Sequence, residues 1–329
     1  MTVSSESQAP AGVTANRLPD FFIVGHAKSG TTALFEMLRR HPQIHMGAKE
    51  PWYFATDMRA RFRPPRAGVE PATLEEYLSM LGAAGPGQRV GEASSSYLWS
   101  RTAASNIADV QPAARIIAIL REPASFLRSL HLQLLQTHVE DESDLRKALA
   151  LQSARAEGRR IPRRSHRPQL LQYFDHVHYV EQLRRYHAVF PAEQVLVLIY
   201  EDFRRDNEAT VRRVLRFLEV DDTRTIEVLD ANPTVRMRSQ QLDELVHAVS
   251  LGRGPVSRAA KASVKTIAPR GLRRSLLGFT QRRLVHGTPQ PADESLMIEL
   301  RRRFKDEVAS LSEYLERDLL ALWGYDHVD

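Results

Sequence analysis

The residues best suited to chemistry stand together near the start of the chain, in the run Gly25-His26-Ala27-Lys28-Ser29-Gly30-Thr31-Thr32. Gly25 and Gly30 let a backbone turn sharply and approach an anion closely. Lys28 adds a cation, and Ser29, Thr31 and Thr32 add hydroxyl donors. An apolar segment, residues 21–24, precedes the run, and Leu34, Met37 and Leu38 follow it at helical spacing. A loop that opens onto a helix N-terminus presents unpaired backbone N–H groups and the positive end of the helix dipole. The combination predicts a phosphate-binding loop. The competing reading, a Ser/Thr-capped helix with a surface lysine, fits the preceding buried strand less well. The G-x-x-x-x-G spacing is that of a nucleotide P-loop, yet Thr31 occupies the place of a Walker lysine and the lysine lies inside the loop instead.

Such a loop needs a strand behind it and a helix in front. Buried strands are predicted at 21–24, at 115–120 (RIIAIL) and at 195–200 (VLVLIY), with shorter ones at 44–46 and 89–92. Helices are predicted at 31–40, stopped by His41-Pro42, at about 125–137 and at about 208–218. Leu300, Phe304, Val308, Leu311, Leu315 and Leu319 mark one amphipathic helix over 293–322 that packs on the sheet. Strands alternating with helices imply an α/β fold, three layers α/β/α around a central parallel sheet, P-loop NTPase-like. Ligands in such sheets sit at the carboxyl ends of the strands, where the phosphate loop lies. A flexible tail over 1–18 and a single domain over 19–329 are expected. Within that domain, 141–168 reads as a polar, Arg-rich insertion, a solvated loop or, as the weaker alternative, a surface that helps bind an acidic acceptor.

Hydrophobic residues at 43% and charged residues at 26% are ordinary for a globular chain. The absence of cysteine excludes a disulfide scaffold, a Cys-ligated zinc site and a Cys nucleophile. No stretch approaches the roughly 20 apolar residues of a membrane helix, and the start lacks a secretory pattern, so a cytoplasmic protein is expected. The net charge of +6 is concentrated: residues 245–291 hold nine Lys and Arg and no acid. That block reads as a phosphate-, nucleic-acid- or membrane-attracting surface or, equally, as solvated helix faces. It carries almost no aromatic residues for base stacking, so nucleic acid is not expected as a partner.

The run FFIVGHAKSGTTALFEMLRRHPQI resembles the opening of the sulfotransferases that use 3′-phosphoadenosine-5′-phosphosulfate (PAPS). The resemblance covers residues 21–220 with gaps, and more weakly the last helix. It implies that Lys28, Ser29, Gly30, Thr31 and Thr32 bind the 5′-phosphosulfate, with Lys28 neutralising the leaving oxygen. In that family an Arg after a strand and a Ser eight residues later hold the 3′-phosphate. Arg121 and Ser129 stand in that order here, and an Arg can grip a phosphate with two N–H groups. A later basic loop often closes the cofactor site; Arg236, Arg238 and the cluster at 270–274 are candidates.

Sulfuryl transfer also needs a base for the acceptor proton. The family's cytosolic branch uses a His after the third strand, and RVGEASSSYLWS contains none. The carbohydrate branch places a Glu after the second strand, followed by aromatic residues, which assigns Glu50 of IHMGAKEPWYF as base. The competing role for Glu50 is structural, a pair with Lys49 or a turn cap. Trp52, Tyr53 and Phe54 either pack that loop or stack on a sugar. That branch often has a Lys after the third-strand Glu; Ala93 follows Glu92 here, and Lys49 is the candidate replacement. His26, His41, His45, Glu201 and Asp202 read as structural. The resemblance implies a small-molecule or carbohydrate acceptor, PAP as product and no required metal. The alternative is a small-molecule kinase, which lacks its Walker lysine and would need Asp202 for magnesium.

Overall fold

The computed structural model describes residues 17–58, 70–165, 167–227, 236–237, 286–287 and 291–328. The expected tail up to residue 16, Arg238, the cluster at 270–274 and most of the basic block 245–291 lie outside the described residues.

Five strands form one sheet: β1 (Phe21–Gly25), β2 (Ile44–Lys49), β3 (Arg89–Ala93), β4 (Arg115–Leu120) and β5 (Val195–Ile199), in the order β2-β3-β1-β4-β5. Every pairing is parallel. The helices are α1 (Thr31–Leu38), α2 (Leu74–Leu81), α3 (Ala103–Val110), α4 (Pro123–Gln136), α5 (Leu145–Ala150), α6 (Gln152–Ala156), α7 (Tyr179–His187), α8 (Tyr200–Arg205), α9 (Asn207–Phe217), α10 (Glu294–Tyr314) and α11 (Leu319–Trp323). A short antiparallel pair, β6 (Arg236–Met237) with β7 (His286–Gly287), completes the described elements.

The near-continuous apolar strands follow from burial on both faces. Phe22, Val24, Ile116, Ala118 and Leu120 enter one core with Tyr77 of α2, Ile107 of α3, Phe126 of α4, Leu183 of α7 and Phe304 of α10. Phe21, Ile23, Ile117 and Ile119 enter the other with Leu34 of α1, Phe203 of α8 and Val214 of α9. Three layers result, as the alternation of elements predicts. After β1 the chain runs toward β2, and after β4 toward β5, so their exits diverge at the sheet's topological switch. Ligand crevices form at such a switch because the connecting loops part there.

Two expectations need correction. The helix predicted over 293–322 is two helices. Glu316 adopts φ 49, Arg317 N–H donates to the Ser312 carbonyl at 2.9 Å, and Leu319 N–H to Ser312 Oγ at 3.1 Å. Asp318 then caps α11 by accepting from Ala321 N–H. The apolar spacing continues through the break, which hides it from a periodicity argument. α10 contacts α4, α7 and α11, lying over the helical layer. Nor is 141–168 a solvated loop: it holds α5 and α6 and is pinned from within. Arg155 Nη1 and Nη2 reach the two oxygens of Glu140 at 2.7 and 2.6 Å, with side chains 1% and 0% exposed. Tyr173 O–H and the N–H groups of Asp141 and Glu142 also donate to Glu140. Burial opposes that charge, but Arg155 together with the Glu142 N–H and the Tyr173 O–H outweighs it and holds the carboxyl below its usual range. Among the described residues no helix is long and apolar enough to cross a membrane.

Breaking a buried, fully bonded ion pair strands one charge in the core. Arg155→Ala should therefore cost roughly 3–5 kcal/mol in urea unfolding, whereas the paired replacement Glu140→Leu/Arg155→Met recovers most of the loss. Equal stability of Arg155→Ala and the parent chain would contradict this.

Candidate functional site

β1 delivers the chain into the anion loop. His26 N–H continues the strand's pairing by donating to the Ile119 carbonyl at 2.6 Å. Lys28 (φ 61) and Gly30 (φ 86) then bend the backbone through left-handed conformations. At Gly30 the conformation and the space both demand glycine, since a Cβ would sit 2.8 Å from the Phe203 ring. Gly30 is the N-cap of α1, among the described residues no side chain caps the helix, and no acid lies in its first turn. The leading N–H groups of α1 are thus left for a ligand. They open on a cavity of about 360 Å³ whose lining includes Lys28, Gly30, Thr31, Thr32, Lys49, Glu50, Ser95, Arg121 and Tyr200.

Arg121 leaves the end of β4 and reaches back across this cavity. Its Nη1 donates to the Lys28 carbonyl at 2.8 Å and to Ser129 Oγ at 3.0 Å, and its guanidinium lies 4.6 Å over the Tyr200 ring. The two anion subsites expected from sequence are consequently one cleft, joined by a single side chain. Ser129 is buried behind Arg121 and is not part of the lining. Ser29 is likewise fully buried, its hydroxyl directed to the Ala27 carbonyl and its N–H to the His26 carbonyl. Its expected place as a hydroxyl donor to a ligand is not what the geometry provides, because the loop turns its side chain inward.

Among the described residues three cations, Lys28, Lys49 and Arg121, line the cleft with one carboxylate, Glu50. Burial, and then the neighbouring Arg121 charge, lower the Lys28 ammonium below its ordinary range. The opposite charge of an entering anion would offset both effects.

Glu50 sits where β2 meets the cleft, fixed by four donors. Oε1 accepts from Lys49 Nζ at 3.0 Å and Ser95 Oγ at 2.8 Å; Oε2 accepts from Trp52 Nε1 at 2.6 Å and Ser95 N–H at 3.1 Å. The pair with Lys49 is thus real, and it sits inside the cleft rather than apart from it. The aromatic run is used for packing. Phe54 is buried against Phe22, Tyr77 and Tyr97, Tyr53 stacks on Tyr77 at 4.7 Å, and the Trp52 face is covered by the Arg167 guanidinium at 3.4 Å.

Sequence reasoning missed Ser95, Tyr200 and the state of Glu92. Ser95 is one of three consecutive serines, and nothing in their spacing singles it out. Tyr200 is simply the first residue after β5. Glu92, within β3 and fully buried, accepts from Tyr77 O–H at 3.2 Å; burial, with the charge of Glu50 adding to it, pushes its carboxyl up to about 8. It is a neutral acid behind the site near pH 7.

The residues read as structural are so placed. His41 and His45 donate to the carbonyls of Asp221 and Leu81, both at 2.8 Å. Glu201 accepts from Trp323 Nε1 at 2.8 Å. Asp202, which a kinase would need for magnesium, is paired with Arg317 and Arg205 at 2.5 and 2.9 Å. His26 backs the anion loop, buried and bonded to Gln182 Oε1 at 2.7 Å, near a second buried imidazole, His176. Burial lowers them to about 4 and about 3.

These two histidines stay neutral in the fold while the unfolded chain protonates them near 6.5. Their contribution to stability is complete above pH 6.5 and falls as pH drops toward 4, by up to about 1.4 kcal/mol per pH unit for each. Urea unfolding between pH 7 and 5 should show a shallower acid slope for His176→Phe than for the parent; equal slopes would refute the buried neutral pair.

Residues 19–224 match the sulfotransferase family. Carbohydrate sulfotransferase 15 of Mus musculus is 28% identical over 250 residues, which is 62% of this chain and 44% of that protein. Heparan sulfate glucosamine 3-O-sulfotransferase 6 of Homo sapiens is 31% identical over 125 residues, 38% of this chain and 33% of that protein. The chain therefore matches less than half the length of these relatives. A sulfotransferase crystal structure from Alicyclobacillus acidocaldarius superposes with a TM-score of 0.65 at 25% identity, over 93% of this chain and 99% of that one.

Proposed function

The chain belongs to the sulfotransferase family, and we propose that it moves a sulfuryl group from PAPS directly to a hydroxyl or amine of a carbohydrate or other small acceptor. The observation that carries this reading is the single cleft that brings together the N-terminus of α1, Lys28, Arg121 and Glu50. Its three cations and free N–H groups suit a nucleotide bearing two separate phosphate groups, which supplies the sulfuryl group when bound. The carbohydrate preference rests on the relatives; one face of Trp52 is covered by Arg167 and one face of Tyr53 by Tyr77.

In this reading Thr31, Thr32 and the leading N–H groups of α1 hold the 5′-phosphosulfate, and Lys28 stabilises the charge that develops on the leaving oxygen. Arg121, backed by Ser129 and Tyr200, holds the 3′-phosphate. Glu50 takes the acceptor's proton. Of its four donors, the Lys49 ammonium on its flexible stem is the one that can yield its place to an acceptor group. Lys49 then remains beside the acceptor as the second cation, in place of the lysine that Ala93 replaces.

Transfer of labelled sulfur from PAPS should be screened across desulfated glycosaminoglycans, simple glycosides, phenols and lipids. PAP binding is measured alongside by calorimetry, in competition with ATP–magnesium. Lys28→Ala should lower kcat roughly 10²–10³-fold, and Glu50→Gln roughly 10²–10⁴-fold at unchanged PAP affinity. Arg121→Ala should weaken PAP roughly 10–100-fold. Near-parental turnover in Glu50→Gln would remove the base assignment, and tight ATP–magnesium binding without PAP binding would replace the reading by the kinase.

A further inference from the structure

The turn that carries Glu50 is held in an unfavourable backbone state. Glu50 and Trp52, neither of them glycine, have φ of 58 and 57. Each such residue costs on the order of 1–2 kcal/mol, so the surrounding contacts must impose the turn. Part of that restraint is backbone: Glu50 N–H donates to the Ala93 carbonyl at 2.8 Å, and Trp52 N–H to Ser94 Oγ at 3.3 Å. The remainder comes through the Trp52 side chain. Its indole N–H donates to Glu50 Oε2 at 2.6 Å, the shortest of the four bonds to that carboxylate. Its opposite hold is Arg167, whose guanidinium lies 3.4 Å from the ring centroid. Arg167 is itself tethered by Glu70 at 2.5 Å, with side chains 15% and 29% exposed. Arg167 is absent from the cleft lining, so it does not reach the reacting groups.

Resting on the assignment of Glu50 as proton acceptor, we infer that Arg167 is a positioning residue for that carboxylate, acting through Trp52. Two physical effects carry the influence. A cation on the indole face fixes the ring's plane, and so the direction of its N–H. It also draws electron density from the ring, which strengthens the N–H as a donor, as charges and hydrogen bonds in series polarise one another. The Arg-rich segment 141–168 thereby has a functional end. It starts at the buried Glu140–Arg155 pair and hands Arg167 to the turn beside the active carboxylate.

The test reads the indole directly. Three Trp indole N–H resonances are expected in a nitrogen–proton NMR spectrum, and Trp52→Phe identifies that of Trp52. In the parent chain it should be downfield and slow to exchange with water. In Arg167→Ala it should move upfield and exchange roughly tenfold faster, the effect of one weakened charge-assisted bond. Arg167→Lys, which keeps a cation over the ring, should restore much of the parent signal. In the labelled-PAPS assay, with desulfated heparan sulfate as probe, Arg167→Ala should lower kcat roughly tenfold at unchanged KM for PAPS. Trp52→Phe should do the same, and combining the two should cost no more than either alone. An unmoved Trp52 resonance in Arg167→Ala, or losses that multiply in the double variant, would overturn the inference. A parent chain that transfers no label counts against the donor or the acceptor class alone, because the NMR comparison decides the Arg167–Trp52–Glu50 linkage without turnover.

Discussion

The hydrogen bond from Arg121 to the Lys28 carbonyl is the contact on which the site is organised. Lys28 sits on a loop whose backbone is left-handed at Lys28 and Gly30, a shape the loop cannot hold by itself. Arg121 comes from the end of the neighbouring strand β4, so the sheet register between β1 and β4 fixes where the bond forms. A guanidinium has further N–H groups to offer after making this bond. The residue that shapes the loop therefore also faces the cavity the loop creates. Tyr200 beneath it and Ser129 beside it keep it extended across the crevice.

That arrangement concentrates positive charge at the switch point of a parallel sheet. The cost is visible at Lys28, whose ammonium is disfavoured by burial and by Arg121. Negative charge brought into such a cleft would offset the repulsion between Lys28 and Arg121. The carboxylates nearby are handled in two opposite ways. Glu50 is surrounded by donors at the cavity edge, while Glu92, one strand over and wholly buried, is driven toward its neutral form. Among the described residues Glu50 is thus the one carboxylate lining the cleft beside the cations.

Both core layers serve this geometry. The face containing α1, α8 and α9 brings Phe203 against Gly30, so packing below the loop and the loop's glycine depend on each other. The opposite face supplies His26, Gln182 and the aromatic cluster around Phe54, which anchor the back of the anion loop and of the Glu50 turn. The polar segment after α4 is bound into this second face by Glu140 and Arg155.

The amino-acid sequence alone determined the layered sheet and the loop after β1, because these depend on local quantities: apolar runs, helical spacing, and glycines set between a strand and a helix; Glu50 and Arg121 were singled out by the family resemblance and not by such local quantities. The resemblance also paired Arg121, just before α4, with Ser129 in the middle of that helix, and the two side chains do meet. What the sequence left undecided were matters of direction and distance between elements. The break before α11 is invisible because the apolar period runs through it. The inward turn of Ser29, the choice of Ser95 among three serines, and the covering of Trp52 by Arg167 all depend on side chains meeting across long stretches of chain. Composition could mark 141–168 as charged, but only tertiary packing could bury Arg155 while sending Arg167 to the Glu50 turn. A charge's role is set by the partner that reaches it, and that partner is chosen by the fold.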